Sequence, residues 1–388
     1  MRIAFYAPFK PLDHAHPSGD LVIADGLWRY LKGRGHHLRV AAALRARWLF
    51  WRPWLWHRLL RDRRRALRDL DVRPSDLWLT YHCYYKAPDL IGPWVAGRTG
   101  RPYVIFQGIY ATKRRRDIRT WPGFFFNTRA LCAAQHVFSN RLEDHRNLGR
   151  LLPAERLTYV PPGIFPGDFK FDGDARARLR KRWGAGNDPV VLSAAMFRPG
   201  VKSDGLMTVI RACAALVRRG RRLLLGIAGD GRERERLEGL ARRLLPGRVR
   251  FTGQISRAEM FRFYSAGDVF AFPGIRESLG MVYLEAQSCG LPVVAYDNGG
   301  IPEVVDHDAT GLLVPAHDRD AFADRLGLLI EGREVRRRMG RAAAAYVRRA
   351  HDLDTNYRLV ESVLLTIAGG RRGLGRSAAW VKGTKFKR

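Results

Sequence analysis

Residues 276–294, RESLGMVYLEAQSCGLPVV, place two glutamates, Glu277 and Glu285, on either side of Gly280. The run that ends this stretch is apolar and β-branched, which is typical of a buried strand. Another short apolar run, residues 269–272, precedes it. A strand, a loop, a helix beginning near Gly280 and a further strand make one unit of a parallel α/β sheet. The stretch therefore predicts an α/β fold with carboxylates at a strand-to-helix junction.

The same alternation of strands and helices continues along the chain in both directions. Short apolar runs predict strands near residues 2–6, 38–43, 77–81, 103–106, 136–139, 157–160, 190–194, 223–228, 249–252, 269–272, 292–296 and 312–314. Segments between them predict helices near residues 21–33, 205–219, 232–245, 257–266, 280–289 and 320–330. Continuous apolar strands suit sheets that are covered on both faces. About a dozen strands are too many for one doubly wound sheet, so we predict two such domains, with residues 161–188 as a linker.

The composition limits the class of protein. The 388 residues are 46% hydrophobic, which is enough for ordinary cores. No apolar run approaches the ~18 residues of a membrane-spanning helix, and the first residues lack the features of a secretory signal. The four cysteines lie far apart without C-x-x-C spacing, which argues against zinc and disulfide frameworks. We therefore expect a cytoplasmic protein.

The charge is unusually positive, with 69 Lys and Arg against 37 Asp and Glu, a formal +32. Such a field attracts polyanions: nucleic acid, an anionic membrane or a phosphorylated substrate. Residues 45–70 carry nine arginines and four tryptophans, and residues 112–127 repeat the pattern. Tryptophan with arginine suits a membrane interface, so we expect peripheral docking on the anionic inner face of the cell membrane. The alternative is a solvated arginine-rich helix whose tryptophans pack inward.

Strand-to-helix loops carry the site predictions, because ligands of open α/β sheets bind outside the carboxyl ends of strands. Gly19 precedes the first predicted helix, where a phosphate is favoured, although an ordinary helix-start turn is the alternative. Arg198 and Lys202 follow the strand at 190–194 and can clamp a diphosphate; the alternative is two solvated cations. Gly229 belongs to a G-x-G that suits a tight turn better than a dinucleotide site.

The opening stretch carries the most specific site prediction. Backbone N–H groups at the start of its helix, at Gly280, Met281 and Val282, would point at an anion. Glu285, about one turn further in, can accept hydrogen bonds from two vicinal hydroxyls of a ribose. Glu277 lies in the loop before the helix, where it can accept hydrogen bonds from the hydroxyls of a sugar. We therefore predict two grips on a sugar nucleotide, the alternative being a solvated Glu277 and a structural Glu285.

These residues resemble a known family. Residues 276–318 are similar to the nucleotide-binding signature of retaining glycosyltransferase family 4 (glycosyl transferases group 1), including its E-x7-E motif. The segments 160–169, 227–231 and 248–272 and the Arg198–Lys202 loop resemble that family in the same order. The resemblance covers roughly residues 157–365 well, residues 1–42 loosely and residues 44–135 poorly.

The resemblance implies a GT-B fold, in which two Rossmann-like doubly wound domains face each other across a cleft. It implies an acceptor-binding domain at residues 1–165, completed by a C-terminal helix at 351–368, and a nucleotide-sugar-binding domain at 166–350. Residues 369–388 are expected to form a basic flexible tail. The implied activity is transfer of a sugar, with retention and without metal, from a nucleoside-diphosphate sugar to a membrane-associated glycolipid, lipopolysaccharide or polysaccharide acceptor.

The resemblance also assigns roles, with some departures. Glu285 would hold the ribose, Glu277 the donor sugar, and Lys202 with Arg198 the diphosphate, while Gly19 would let the backbone approach the same phosphates. Many members have a histidine near the acceptor where this chain has Gln107. Glutamine cannot act as a base but can hydrogen-bond a hydroxyl; His82 is a weaker alternative.

Other classes of protein explain less of the sequence. No recognised nucleic-acid module is present, and an epimerase of the same fold would need more acid–base residues around the sugar. A non-catalytic membrane-binding or nucleic-acid-binding protein on a transferase-like fold is a further alternative. Asp-x-Asp pairs of metal-dependent transferases occur at 69/71, 172/174, 306/308, 318/320 and 352/354. Most suit turns or helix starts, so we assign no metal and no cofactor beyond the donor.

Overall fold

A computed structural model describes residues 1–11 and 19–370. The chain divides into two compact units. Unit 1 contains Met1–Ser139, Arg146–Thr158 and the chain from Arg358 onward, and unit 2 contains Asn140–His145 and Tyr159–Tyr357. Most of the predicted basic tail, residues 371–388, lies outside the described residues.

Unit 1 is built on a sheet whose described strands follow the order β2-β1-β3-β4-β5-β6. These strands are β1 (Arg2–Tyr6), β2 (His37–Ala42), β3 (Leu77–Cys83), β4 (Tyr103–Gly108), β5 (His136–Ser139) and β6 (Leu157–Tyr159). The first helices are α1 (Gly19–Gly33), α2 (Trp56–Val72), α3 (Gly92–Thr99), α4 (Trp121–Ala133) and α5 (Leu142–Leu148). Every residue of β3 and β4 is buried, as expected of central strands in a sheet covered on both faces.

Unit 2 has a second sheet, with the order β12-β11-β10-β7-β8-β9 in the described residues. Its strands are β7 (Val190–Ala194), β8 (Leu224–Ala228), β9 (Val249–Gly253), β10 (Val269–Ala271), β11 (Val293–Asp297) and β12 (Gly311–Pro315). Its helices are α6 (Gly173–Trp183), α7 (Val201–Arg218), α8 (Arg234–Leu244), α9 (Met260–Ser265), α10 (Met281–Ser288), α11 (Arg319–Glu331) and α12 (Arg333–Ala350). All pairings in this sheet are parallel.

Helix α13 (Leu353–Gly369) begins in unit 2, and its residues from Arg358 onward belong to unit 1. Within unit 1, the buried Glu361 accepts hydrogen bonds from Tyr30 Oη at 2.8 Å and from Arg34 Nε at 3.1 Å. The His36 ring lies 2.8 Å from the same carboxylate. These contacts hold the second part of α13 on α1 and the start of β2.

The sequence predicted the strands better than the helices. All twelve predicted strands are present in the described residues, and the α/β class with two parallel sheets is confirmed. The predicted helix at 257–266 is a 3₁₀ turn, Arg257–Glu259, followed by the short α9. The linker prediction for 161–188 was too broad, because it contains α6, whose first turn is capped by Asp172 accepting from Ala175 N–H at 2.8 Å. None of the described helices combines the length and apolar character that crossing a bilayer requires.

Candidate active site

The carboxyl ends of β7, β8 and β10, which are neighbours in the second sheet, carry most of the predicted site residues. Lys202 lies in the first turn of α7 after β7, and Gly229 follows β8 directly. Glu277 lies in the loop between β10 and α10, and Glu285 lies within α10. The order of the parallel strands therefore brings together residues that are far apart in the sequence.

Lys202 and Glu277 form an ion pair at this edge. Lys202 Nζ donates to Glu277 Oε2 at 2.5 Å, and the two side chains are 31% and 18% exposed. The same ammonium lies 5.3 Å from the centre of the Phe272 ring, just beyond β10. A cation and a carboxylate that are partly shielded yet open to solvent can both meet a polar, phosphorylated ligand.

The backbone around Glu277 is held by glycines. Glu277 N–H donates to Gly274 O at 2.9 Å, and Gly300 N–H donates to Glu277 O at 3.2 Å. A Cβ on Gly299 would lie 2.2 Å from Glu277 O, and a Cβ on Gly300 would lie 2.0 Å from Ser278 O. The Gly299–Gly300 pair therefore permits the close approach of two loops that seats Glu277, a role that the sequence did not reveal.

Helix α10 begins at this site. Gly280 is its N-cap, with a left-handed φ of 65°, and a Cβ there would lie 2.6 Å from Val304 Cγ2. The first backbone N–H groups of a helix lack acceptors within the helix, so those of Met281 and Val282 are available to an anion. The geometry of this helix start agrees with an anion site next to Glu277.

Glu285 is buried, with 6% of the residue exposed. Tyr264 Oη donates to its Oε2 at 3.0 Å, and Arg257 pairs with its Oε1. Burial raises the pKa of the Glu285 carboxyl, while Arg257 and Tyr264 act in the opposite direction. The Arg257 guanidinium lies 4.9 Å from the Phe169 ring centre. Sequence reasoning missed Arg257 and Tyr264, since their spacing from Glu285 follows no motif.

Arg198 and Gly229 have other surroundings. The Arg198 side chain is exposed, and its carbonyl oxygen accepts a hydrogen bond from Ser203 Oγ at 2.6 Å. Gly229 has a φ of 138°, and a Cβ there would lie 1.9 Å from Ala195 O. Gly229 is therefore required by the packing of two strand-end loops, which agrees with a tight turn.

The remaining predicted residues lie in unit 1. Gly19 is the first residue of α1. His82 and Gln107 lie near the ends of the adjacent strands β3 and β4, both buried and both left-handed, with φ of 59° and 63°. The rings of Phe9 and Tyr84 lie 5.2 and 4.8 Å from the His82 ring. Gln107 Oε1 is buried and has no hydrogen-bond partner among the described residues.

No group of three or more His, Cys, Asp and Glu side chains in the described residues is arranged to hold a metal ion. Two of the Asp-x-Asp pairs have structural roles at helix starts. Asp172 caps α6, and Asp318 caps α11 by accepting from Ala321 N–H at 2.9 Å.

Known proteins resemble this chain in sequence, most of all in unit 2. Residues 175–346 match the family model described as glycosyl transferases group 1, which confirms the resemblance seen in the sequence. The chain is 37% identical over 203 residues to the GDP-mannose-dependent alpha-(1-6)-phosphatidylinositol monomannoside mannosyltransferase of Mycobacterium tuberculosis, covering 50% of this chain and 52% of that protein. It is 36% identical over 259 residues to the D-inositol 3-phosphate glycosyltransferase of Nocardia farcinica, covering 63% and 56%. The chain thus spans about half the length of the curated relatives it matches.

Solved structures share the fold over nearly the whole chain. Anabaena HepE in complex with UDP has a TM-score of 0.74 at 20% identity, covering 94% of this chain and 100% of that one. Sucrose-phosphate synthase from Thermosynechococcus elongatus has a TM-score of 0.72 at 20% identity, covering 95% and 99%. These likenesses show the GT-B fold.

Proposed function

Because residues 175–346 belong to the group 1 glycosyltransferases, we propose that this chain transfers a sugar from a nucleoside-diphosphate sugar to an acceptor hydroxyl. One observation carries the proposal: the Lys202–Glu277 pair lies at the same sheet edge as the start of α10, and Glu285 lies further along that helix. A cation, the backbone N–H groups at a helix start and two carboxylates support the proposal, because a diphosphate, a sugar and a ribose can each be bound by such groups.

Each group has a definite task in this proposal. The Glu285 carboxylate accepts hydrogen bonds from the ribose hydroxyls. Lys202 and the N–H groups of Met281 and Val282 stabilise the negative charge that develops on the leaving diphosphate. Glu277 accepts hydrogen bonds from the donor sugar while it holds Lys202 in place. The acceptor attacks the face from which the diphosphate leaves, which gives retention, and the cationic groups make a metal unnecessary.

A thermal-shift panel of UDP, GDP, ADP and their sugar conjugates tests the donor site. A ligand that binds the folded state raises the melting temperature with its concentration. We expect one nucleotide family to give a shift that EDTA leaves unchanged and that Glu285→Ala abolishes. Glu334→Ala is the matched control, because its side chain is 82% exposed and lies on α12. No shift with any nucleotide would contradict the proposal.

The same panel decides the donor base. One relative is named GDP-mannose-dependent, and one structural neighbour is complexed with UDP. Guanosine and uridine donors are therefore the two leading choices. Product analysis by NMR of the anomeric carbon then tests retention, and an inverted anomer would refute that part of the mechanism.

We further propose that the acceptor is membrane-associated and that unit 1 docks on an anionic membrane. The two basic aromatic stretches, 45–70 and 112–127, lie together in this unit. Trp51 Nε1 donates to Arg119 O at 2.8 Å, and a Cβ on Gly123 would lie 2.6 Å from the Phe50 ring. They therefore form one surface, which we name the Trp–Arg surface and define as the exposed side chains of residues 51–68 and 113–125.

The exposure of the Trp–Arg surface supports docking over inward packing. Large apolar side chains that stand out from it are Trp51, Trp54, Trp56, Leu60, Ile118, Trp121 and Phe125. Helix α2 buries Leu59, Ala66 and Leu70, while Arg58, Arg61, Arg64, Arg65 and Arg68 are exposed. Trp48 is the exception, because it is half-buried and packs on Phe50 and Tyr85. Exposed aromatic rings beside arginines suit the headgroup region of an anionic leaflet, and one relative is named a phosphatidylinositol monomannoside mannosyltransferase.

Flotation with vesicles tests this surface. We expect binding to phosphatidylglycerol-containing vesicles and not to pure phosphatidylcholine, and at least a 5-fold loss of binding in Trp54→Ser/Trp121→Ser. Phe171→Ser is the matched control, since it removes an exposed aromatic residue from unit 2. Binding to single-stranded nucleic acid without binding to vesicles would favour the nucleic-acid alternative instead.

A further inference from the structure

Arg257 contacts the proposed ribose-binding carboxylate, although the sequence predicted no site role for this residue. It begins the 3₁₀ turn Arg257–Glu259, and its guanidinium pairs with Glu285 Oε1. The fully buried Phe169 ring lies 4.9 Å away on one side of the guanidinium. Tyr264, from α9, donates to the other carboxylate oxygen at 3.0 Å. Arg257 and Tyr264 therefore hold the two oxygens of this carboxylate, and Phe169 packs against Arg257.

The number of hydrogen bonds at Glu285 matches what a ribose requires. An ionised carboxylate has about four acceptor sites, two on each oxygen. Arg257 occupies one site on Oε1, and Tyr264 occupies one on Oε2. About one site remains on each oxygen, and two vicinal hydroxyls need two such sites. The contacts that orient Glu285 thus leave two acceptor sites for the ligand.

The charge state of Glu285 matters as much as its orientation. Burial raises the pKa of this carboxyl, and Arg257 is the largest influence in the opposite direction. A protonated Glu285 would present a donor where a ribose hydroxyl also presents a donor, so one hydrogen bond would be lost. The guanidinium, 39% exposed, is the nearby cation that favours the ionised form.

Building on the function proposed above, we propose that Arg257 is a positioning residue of the donor site. It holds the Glu285 carboxylate, through one oxygen, in the orientation and charge that receive the two ribose hydroxyls. Arg257 acts through Glu285 and takes no part in the transfer itself. Its loss should therefore weaken donor binding and raise KM, while kcat changes little.

Nucleotide binding to Arg257→Met tests this role, because methionine removes the charge and keeps an apolar stem for Phe169. We expect the Kd of the nucleotide found in the thermal-shift panel to rise about 10-fold at pH 6. Without Arg257, the hydrogen bonds between the ribose hydroxyls and the Glu285 carboxylate should be weaker, and a hydrogen bond to a charged group is worth about that much. The rise should be smaller at pH 8, because a higher pH favours the ionised carboxylate that Arg257 otherwise supports. Arg257→Lys should restore most of the affinity. The 2′-deoxynucleotide, which has already lost one hydroxyl, should be much less sensitive to Arg257→Met than the ribonucleotide.

A closely matched control lies five residues away. Arg262 also pairs with a glutamate, Glu259, and its guanidinium lies 5.4 Å from a phenylalanine ring, Phe261. That pair is about half exposed and does not contact Glu285. Arg262→Met should leave Kd unchanged at both pH values. Equal losses for ribo- and deoxynucleotide in Arg257→Met, or a loss independent of pH, would overturn the inference, because Arg257 would then act on another part of the donor or on folding alone.

A measurement without nucleotide separates this inference from the proposed function. Without Arg257, the pKa of the buried Glu285 should rise further above its value in the unfolded chain. A raised carboxyl pKa costs stability as pH rises, so Arg257→Met should lower the melting temperature more at pH 8 than at pH 5.5. Adding Glu285→Gln should remove that pH dependence. A wild-type protein that binds no nucleotide would overturn the proposed function and the ribose part of this inference. An unchanged melting profile in Arg257→Met would overturn the inference alone.

Discussion

At the scale of single residues, the Lys202–Glu277 pair combines two requirements of sugar transfer. The ammonium is needed where negative charge develops, and the carboxylate is needed where sugar hydroxyls lie. Contact between the two holds both charged groups in position. The Phe272 ring beneath the ammonium shields one side from water, and a shielded charge acts more strongly on a ligand.

Lys202→Met should lower kcat/KM at least about 100-fold, because one group that stabilises developing charge is typically worth that much. Lys202→Arg should recover part of the rate, since it keeps the charge. Steady-state kinetics with the identified donor would measure both. The control is Lys170→Met, which removes an exposed cation elsewhere in unit 2. Activity of Lys202→Met within 3-fold of wild type would remove Lys202 from the mechanism.

The residues of the proposed donor site differ in how clearly the sequence indicated them. Two features of the sequence indicated Glu277, Glu285 and Lys202. They come after predicted strands, and they match the motifs by which the chain resembles the family. Arg257 and Tyr264 reach Glu285 only because a 3₁₀ turn and α9 pack beside α10. Such a contact depends on tertiary packing, which no local spacing encodes.

At the scale of elements, two of the helices that were missed, α6 and α2, place few apolar residues in the core. Helix α6 buries Ala175 and Trp183, and α2 buries Leu59, Ala66 and Leu70. Their remaining residues are mostly charged, so the apolar stripe that indicates a helix is thin. Strands were found reliably because their apolar runs are continuous and fully buried, as in β7 and β8.

Substitution by alanine at two glycines of unit 2 should change the free energy of unfolding in opposite directions. Gly340 lies in α12 where a Cβ would be 2.2 Å from Gly290 O, just after α10. Gly340→Ala should therefore cost about 2 kcal/mol of unfolding free energy through the clash of backbone and side chain. Gly239 in α8 has no atom within 4 Å of its Cβ position, so Gly239→Ala should gain about 0.5–1 kcal/mol. Urea unfolding of both variants measures the difference, and equal signs would contradict the packing of α12 on the end of α10.

Asp268 ties helix α6 to the second sheet. It accepts from Arg176 Nη2 at 2.7 Å, Arg180 Nη1 at 2.8 Å and Val190 N–H at 2.8 Å. Burial raises the pKa of Asp268. The two arginines and the Val190 N–H lower it by more than burial raises it, so the pKa lies below its usual value. Because the folded-state pKa is lowered, the stabilisation is complete above the unfolded pKa of about 3.9 and is lost as pH falls below it.

Asp268→Asn should therefore cost about 3 kcal/mol near pH 7, since it leaves two arginines without their carboxylate. The difference from wild type should shrink when melting is followed below about pH 4. Asp324→Asn is the control, because the Asp324–Arg219 pair is more than half exposed and should change stability by less than about 0.5 kcal/mol. A pH-independent cost at Asp268 would mean that packing, and not charge, holds α6.

At the scale of the whole molecule, the formal charge of +32 should make membrane association strongly dependent on salt. Salt screens attraction between exposed charges beyond about 10 Å at 0.1 M. We expect binding to anionic vesicles to fall at least about 10-fold between 50 and 500 mM NaCl. The triple variant Arg58→Gln/Arg61→Gln/Arg64→Gln should bind more weakly and show a shallower dependence. The control is a triple variant with the same changes on α12, at the exposed Arg337, Arg338 and Arg341. Equal effects of the two triple variants would mean that total charge, and not the Trp–Arg surface, governs binding.

The two sheets were predicted from the sequence because the number and spacing of apolar runs determine how many parallel strands a chain supplies. The donor side of the candidate site could be proposed from the sequence, since the segments that resemble the family lie in unit 2. Less of unit 1 could be predicted from the sequence. Residues 44–135 resemble the family poorly, and α2, α3 and α4 were not predicted. The meeting of two basic aromatic stretches there rests on contacts between Trp51, Arg119, Phe50 and Gly123, which sequence patterns do not encode.

The left-handed backbone conformation at Gln107 and His82 lowers the stability of the folded protein. The chain therefore gives up some resistance to heat at these two positions in exchange for what their side chains do. A residue other than glycine held at positive φ costs about 1 kcal/mol or more, and Gln107 also buries an oxygen without a partner among the described residues. Glycine at position 107 would relieve both costs. Directed evolution selecting only for survival at high temperature should therefore replace this glutamine early, and the variants it yields would reveal, by what they can no longer do, why the chain keeps it.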